Sequence, residues 1–420
     1  MFKPYTGLDY IKIDVANNFG NDKLNYEDRL KWFNDTIPEE LHTWEPNKLK
    51  DFVYKELTGV EEPELVFAGL LAYSDFKNKK PSGYMVSQDS ACSGMQLMSC
   101  LTADESGLAH TGLLGDNRTD LYSEVFVRFK QLYNKPCNKT RHTLKYTIMP
   151  FFYGSESIPV KEFGDNEEML NCFYQACYDI LPGGVELRNL LVTLWDKHNT
   201  YQSWVLPDNY HVKVPVWLDT PVNVTVHGKP IQYSVQKPGK KFKGISNAAN
   251  VVHSVDAFVL REVLRRCSYD KERLSKVREL LLGGNPDMRH YLRHRFVPLE
   301  TMLELYHKSN FLSVQILNSI VTPYDVTQLS SDTVDKLLNL LHDMYTYDPF
   351  PMVCIHDNFK CHPNNMNFIR YWYKEICADI VQSNLLQFLI SQFKPTKITI
   401  MQSWKNELAE RVRKSNYGLC

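Results

Sequence analysis

Residues Lys139 to Ser155, KTRHTLKYTIMPFFYGS, combine a helical period with one-sided charge. At 3.6 residues per turn, Arg141, Lys145 and Met149 stack on one face, and Tyr153 follows at the C-terminal end beside Gly154. No acidic residue lies between Val125 and Ser155, whereas Arg128, Lys130, Lys135, Lys139, Arg141 and Lys145 all do. A cationic face ending in a Tyr-Gly turn suits a triphosphate: charges for the phosphates, a ring for the base, a hydroxyl for the sugar. The plain alternative is a solvated helix face above an apolar one.

Two aspartate stretches flank this helix. In the first, Tyr84 to Asp89 reads as a strand, and Ser90-Ala91-Cys92-Ser93-Gly94-Met95-Gln96 reads as the turn and helix after it. Small residues behind Asp89 let the backbone approach a metal or nucleotide. The second, Val353-Cys354-Ile355-His356-Asp357-Asn358-Phe359, places His-Asp at a strand turn. In this order the three stretches resemble motifs A, B and C of the single-subunit RNA polymerases of phages and mitochondria.

The resemblance implies an α+β fold: a right-hand palm and fingers, mostly helical, with a small antiparallel palm sheet. It makes Asp89 and Asp357 the catalytic carboxylates, which with the Ser90 carbonyl hold two Mg2+ ions. One ion lowers the pKa of a primer hydroxyl and the other stabilises the leaving pyrophosphate. Arg141, Lys145, Tyr153, Met149 and Tyr122 then bind the nucleotide, with Tyr122 equally readable as core. The segment YIKIDVANNFGNDKLNYEDRLKWF is similar to the family's palm insertion, matching it at Ala16-Asn17, Gly20, Asp22-Lys23 and Arg29. Lys23 thereby inherits a contact with the triphosphate, against the alternative of a surface lysine on a loop. Asn250-Val-Val-His253-Ser-Val-Asp256 resembles the family's Asn-x-x-His-Ser-x-Asp, which implies that His253, with His356, faces the primer or initiating nucleotide. DNA polymerases of the related type carry a glutamate a few residues past the first aspartate as a gate against ribose. None follows Asp89 until Glu105, which favours ribonucleotides.

The implied layout is a palm-insertion-like helical region at 1–80, motif A palm at 81–103 and fingers at 104–253. Palm resumes at 254–359, and an extension and tail fill 360–420. Within the fingers, Trp204-Val-Leu-Pro207-Asp208-Asn-Tyr210 precedes a ribbon at 219–243, similar to the family's specificity hairpin. Val222–Val226 and Ile231–Val235 alternate around His227-Gly228-Lys229-Pro230, and Thr220 to Val255 holds five lysines and no acid. Pro150 bends the central helix near its end, as a hinge or as a fixed kink. Pro182-Gly183-Gly184 is expected to break the helical pattern of 164–200. Between His253 and motif C the chain exceeds the family by a helical stretch at about 267–342. Its Arg289-His-Tyr-Leu-Arg293-His-Arg295-Phe296 can bind a strand or dock a protein. Asn416-Tyr417-Gly418-Leu419-Cys420 is similar to the family's ending, which tucks near the active site.

The chain has 420 residues, 43% hydrophobic and 23% charged, with net charge -1, so any nucleic-acid surface must come from local segregation of charge. Ten cysteines without a CxxC pair favour reduced thiols, and the spacing of Cys354, His356, Cys361 and His362 is wrong for zinc. No apolar run approaches twenty residues and no signal-peptide design opens the chain, so a soluble protein away from membranes is expected. Its place is the cytoplasm, that of a bacterial host if the chain is phage-encoded. The family's N-terminal domain, thumb and Asp-x-x-Gly-Arg segment find no counterpart, and Met1 falls where the palm insertion begins. The expectation is therefore the larger, catalytic subunit of a split, heterodimeric phage RNA polymerase of this family. A smaller protein would supply the thumb and N-terminal elements, and DNA template, ribonucleoside triphosphates and RNA product would complete the assembly. The alternatives are a DNA polymerase or reverse transcriptase fragment, and a catalytically silent nucleic-acid-binding module.

Overall fold

The computed structural model describes residues 2–293, 297–395 and 397–420. His294, Arg295 and Phe296, part of the basic and aromatic run at 289–296, lie outside the described residues. Of the remainder, Tyr291 is buried beneath Arg273, and Arg289 is exposed in a surface pair with Asp287 at 2.8 Å.

The chain is mostly helical, with small antiparallel sheets. Helix α1 (Gly7–Ala16) starts at a capping box in which Thr6 and Asp9 satisfy each other's backbone N–H groups. Helix α2 (Tyr26–Thr36) and a helix at Pro63–Lys77 pack around it. Strand β1 (Val86–Asp89) leads into α3 (Ser93–Thr102). Then come α4 (Leu121–Tyr133), capped by Asp120, and α5 (Arg141–Phe152), the helix of the cationic stretch. Thr140 and Thr143 form the capping box that sets where α5 begins.

Helices α6 (Glu167–Ile180) and α7 (Pro182–Thr193) part at Leu181, so the helical pattern is interrupted at Pro182-Gly183-Gly184. Pro182 opens α7, because proline is tolerated in the first turn, where its missing N–H has no intrahelical partner anyway. A Cβ on Gly183 would lie 2.4 Å from Thr102 Oγ1, so glycine lets α7 close on α3. Strands β2 (Tyr201–Val205) and β3 (His211–Pro215) pair, as do β4 (Trp217–Val226) and β5 (Lys229–Pro238). The β4–β5 turn holds two residues, not the four expected. His227 and Gly228 both take positive φ (49° and 74°), which matches the twist of a hairpin.

Helix α8 (Ser246–Cys267) runs through the core. The extra stretch folds as α9 (Lys271–Leu281), α10 (Leu299–Ser309) and α11 (Ser331–Met344) with shorter turns between them. It docks through the buried Glu262 of α8, which accepts from the Ser313 hydroxyl at 2.5 Å and the Val314 N–H at 3.1 Å. Strands β6 (Met352–Ile355) and β7 (Asn358–Cys361) follow, then α12 (Met366–Gln382) and α13 (Gln402–Arg413).

The central sheet has the order β1-β7-β6, all antiparallel. Side chains alternate across it, so Val86, Gln88, Phe359 and Cys361 point into the core. Ser87, Asp89, Asn358, Lys360, Val353 and Ile355 share the other face. The outer edge of β1 is closed within the chain. Ser87 N–H donates to the Asp14 carboxylate at 2.8 Å, and Asp89 exchanges backbone bonds with Cys420 at 2.9 and 3.2 Å. Asp14 is fully enclosed, and burial pushes its carboxyl up to about 6 despite bonds from Tyr84, Ser87 and Asn18. No strand covers the other side of β6 among the described residues, and Val353 and Ile355 stand exposed there.

Residues 413–420 are drawn under the sheet by two buried cations of α12. Arg370 donates to the Asn416 carbonyl at 2.9 Å, and Lys374 to the Ser415 carbonyl at 2.8 Å and that of Arg413 at 3.1 Å. Burial first, and the neighbouring Arg370 charge second, push Lys374 down to about 7. An unfolded lysine keeps its proton to about pH 10.4, so between the two values unfolding takes up a proton and stability rises with pH. Lys374→Met lacks this titration. Denaturant midpoints at pH 7 and pH 9 should therefore shift in favour of wild type by up to about 1.4 kcal/mol per pH unit. An unchanged difference between the two proteins would show that Lys374 titrates as an ordinary lysine.

Candidate active site

Asp89 ends β1, and Asp357 lies in the two-residue turn joining β6 to β7, after His356 at φ 55°. Ser90 and Asp357, 267 apart in sequence, meet here. The Ser90 hydroxyl donates to Asp357 Oδ2 at 2.7 Å, and Ser90 N–H donates to the Asp357 carbonyl at 3.3 Å. Asp89 keeps one side open to solvent, yet the protein around it pushes its carboxyl up to about 6. Desolvation is the larger cause and the charge of Asp357 the second.

A third carboxyl, Asp256 on α8, faces the same place. Burial and then the Asp357 charge raise it to about 7, while the Ser93 hydroxyl bonds to it. Asp256 ends the Asn250 to Asp256 motif, which by itself assigned no role to this residue. The signal was there, since Asp256 follows His253 by three residues and so shares its helix face. The Asp357 charge helps to raise both Asp89 and Asp256, and a divalent cation would relieve that repulsion. Among the described residues no three His, Cys, Asp or Glu side chains form a cage by themselves. Such a pair suits ions whose shells are completed by substrate phosphates and water.

The acid-free run of the sequence is largely neutralised by acids from elsewhere. Arg128 meets Asp179, Lys135 meets Glu168, Lys139 meets Glu162 and Arg141 meets Asp120, all within 2.7 Å. Arg141 Nε also donates to the Ser123 hydroxyl at 3.0 Å. Lys145 makes no ion pair among the described residues, and its charge acts on Asp89. The uncompensated cation of the helix face is therefore one turn further in than Arg141. Tyr122 is buried, with Arg141 5.7 Å and Lys145 5.4 Å from the centre of its ring. It is thus core and the platform under both cations at once.

Met149 is half-buried one turn beyond Lys145, and Tyr153 caps α5. The Tyr153 ring stacks on His253 with centroids 4.8 Å apart and planes 29° apart. Its hydroxyl lies over Gly94, where an added Cβ would sit only 2.3 Å from the oxygen. A side chain at position 94, the fifth after Asp89, would occupy the place of that hydroxyl. Burial first, then the charges of Asp256 and Asp357, push the Tyr153 hydroxyl up to about 12, so it is a neutral donor at pH 7. Burial lowers His253 below the ordinary imidazole range, against the pull of Asp357. His356 is exposed on the turn.

Lys23 stands at the mouth, exposed and 3.5 Å from Asp22, whose charge is felt at Asp89. The buried Arg29 shapes its loop by donating to the Asp22 carbonyl at 2.6 Å and the Leu24 carbonyl at 2.9 Å. Residues 417–420 close the floor of the site. Tyr26 donates to the Leu419 carbonyl at 2.6 Å and stacks on Tyr417, and Gln96 donates to the Gly418 carbonyl at 3.1 Å. Their pairing with Asp89 depends on tertiary contacts that a loose match of sequence endings does not reveal.

The sequence is similar to known proteins over part of its length. Residues 4–167 match the family described as DNA-dependent RNA polymerase. A probable DNA-directed RNA polymerase of Neurospora crassa is 29% identical over 274 residues, 55% of this chain and 29% of that protein. A DNA-directed RNA polymerase of Pseudomonas phage phiKMV is 32% identical over 127 residues, 28% of this chain and 15% of that protein. The chain thus covers less than a third of the length of either relative.

Proposed function

We propose that this chain, whose residues 4–167 match the DNA-dependent RNA polymerase family, is the catalytic part of a DNA-directed RNA polymerase that adds ribonucleotides by a two-metal mechanism. The observation that carries the reading is the meeting of Asp89 and Asp357 beside Lys145 and the Tyr153–His253 stack. Asp89, Asp357 and the Ser90 carbonyl would hold two Mg2+ ions, which when bound acidify the primer 3′ hydroxyl and neutralise the leaving pyrophosphate. Lys145 receives the phosphates, with Arg141 and Lys23 as outer contacts that exchange their present carboxylate partners for phosphate. Tyr153 and Met149 face the base and ribose, Tyr122 supports the two cations, and His253 and His356 take the primer end. In this reading β1, β6 and β7 are the palm and α4 to α7 belong to the fingers. The β4–β5 ribbon faces DNA with its Asn223, Gln232, Ser234 and Gln236 side, which suits base edges better than the opposite, apolar side. No helix among the described residues is long and apolar enough to cross a membrane. The phage relative makes a host cytoplasm the inferred setting.

The reading includes a second, smaller polypeptide supplying thumb and N-terminal elements. Two surfaces support it. The β6 edge lies open with Val353 and Ile355 exposed. The ribbon's other face carries Val222, Val224, Ile231, Tyr233 and Val235 with nothing packed over it among the described residues, a marginal state for two strands in water.

The test is extension of a primed DNA template, with ribo- and deoxynucleotides compared. Tyr153→Phe keeps the ring and deletes the hydroxyl, so synthesis should continue while ribose preference falls about two- to tenfold, the value of one hydrogen bond. Unchanged relative kcat/KM for the two sugars would remove the hydroxyl from that role.

A further inference from the structure

Arg188 belongs to none of the motifs that pointed to the site. It lies on α7, 6% exposed, and turns its guanidinium to the end of α5. Nε donates to the Phe151 carbonyl at 3.1 Å and Nη2 to the Gly154 carbonyl at 3.3 Å, while Nη1 donates to Asn189 Oδ1 at 2.7 Å. The guanidinium carbon is 4.9 Å from the centre of the Phe151 ring, and Glu156 approaches Nη2 at 3.6 Å from the solvent side. The two carbonyls it holds lie on either side of Tyr153.

The last carbonyls of a helix have no intrahelical donors and carry the negative end of its dipole, so a cation there both bonds them and fixes their direction. Pro150 also removes the helical bond to the Tyr146 carbonyl, which weakens α5 one turn before its end. The turn is also confined elsewhere. Gly154 has φ 99°, and a Cβ on it would lie 2.9 Å from the Ile245 carbonyl. The Tyr153 ring is stacked on His253 and its hydroxyl rests over Gly94. Arg188 completes this confinement from the side away from the substrate.

We propose that Arg188 is a positioning residue for ribose selection. By holding the carbonyls of Phe151 and Gly154 it fixes the Tyr153 hydroxyl over Gly94, where a sugar hydroxyl is sensed. This rests on the reading of Tyr153 as the sugar-sensing group. It also makes the Pro150 bend a braced kink, not a hinge.

The experiment compares kcat/KM for ATP and dATP on a primed template, using the full chain in its active assembly, with melting temperatures alongside. Arg188→Met should lower ribose preference about two- to tenfold, as Tyr153→Phe does, and should add nothing in a Tyr153→Phe background. Arg188→Lys can reach one of the two carbonyls, so it should give an intermediate preference at a melting temperature near wild type. It carries the test should the methionine variant fail to fold. A loss of stability with wild-type preference in the folded variants would reduce Arg188 to a structural residue and overturn the proposal. If Tyr153→Phe itself leaves preference unchanged, the sugar-sensing reading falls and this proposal falls with it. If only the Arg188 variants are silent, the reading stands and the proposal alone is wrong.

Discussion

Asp89→Asn and Asp357→Asn are each expected to abolish nucleotide addition while the fold and template binding persist. The amide keeps the size of the carboxylate, so β1 retains its backbone bonds to Cys420 and its pairing with β7. What disappears is the negative charge that would bind a divalent cation. Asp89 is raised partly by Asp357, so neutralising either residue removes a repulsion, and the melting temperature should hold or rise. Loss of activity with undiminished stability is the signature of a site built at the expense of stability. Primed extension within about tenfold of wild type, a difference of only about 1.4 kcal/mol in the barrier, would remove that aspartate from the catalytic pair.

The second large effect concerns completeness. The purified chain by itself should extend a primed template poorly or aggregate, and a second polypeptide should restore the rate. An apolar strand edge at β6 and an apolar face on the β4–β5 ribbon are surfaces that seek partners in water. The interface that covers them should be of the obligate kind, on the order of 2,000 Å² or more. Sedimentation of the chain alone and in co-expressed complexes, with extension assays on each species, decides the matter. A monodisperse monomer that extends as fast as any complex would sink the two-polypeptide reading.

The fold was legible where local chemistry and period agree. The helical face of Arg141, Lys145 and Met149 is that of α5, and the strand read up to Asp89 is β1. The pair Asp89 and Asp357 was legible through resemblance, because each stretch keeps its local pattern. What the sequence left hidden depends on partners far along the chain. The neutralisation of Lys135 by Glu168 and of Lys139 by Glu162 is invisible to a count of local charge. So are the Tyr153 hydroxyl over Gly94 and the grip of Arg188 on the α5 terminus, since side chains converging from three helices leave no periodic trace. One correction has a local cause instead: His227 accepts a left-handed backbone, which shortened the ribbon turn.

The Asp14 cap on β1 bears on how the protein is made. The bond from Ser87 to Asp14 spans 73 residues, whereas Ser90 to Asp357 spans 267 and Tyr26 to Leu419 spans 393. At translation speeds of about 5–20 residues per second, on the order of ten seconds to a minute passes between the emergence of the first carboxylate and the second. Throughout that interval β1 has no neighbouring strand, and a bare strand invites pairing with other nascent chains. Asp14 is already out of the ribosome and can occupy an N–H of the strand through a side chain, which cannot propagate a sheet. That carboxylate guards the edge of β1 that faces away from β7, and the finished fold keeps it there.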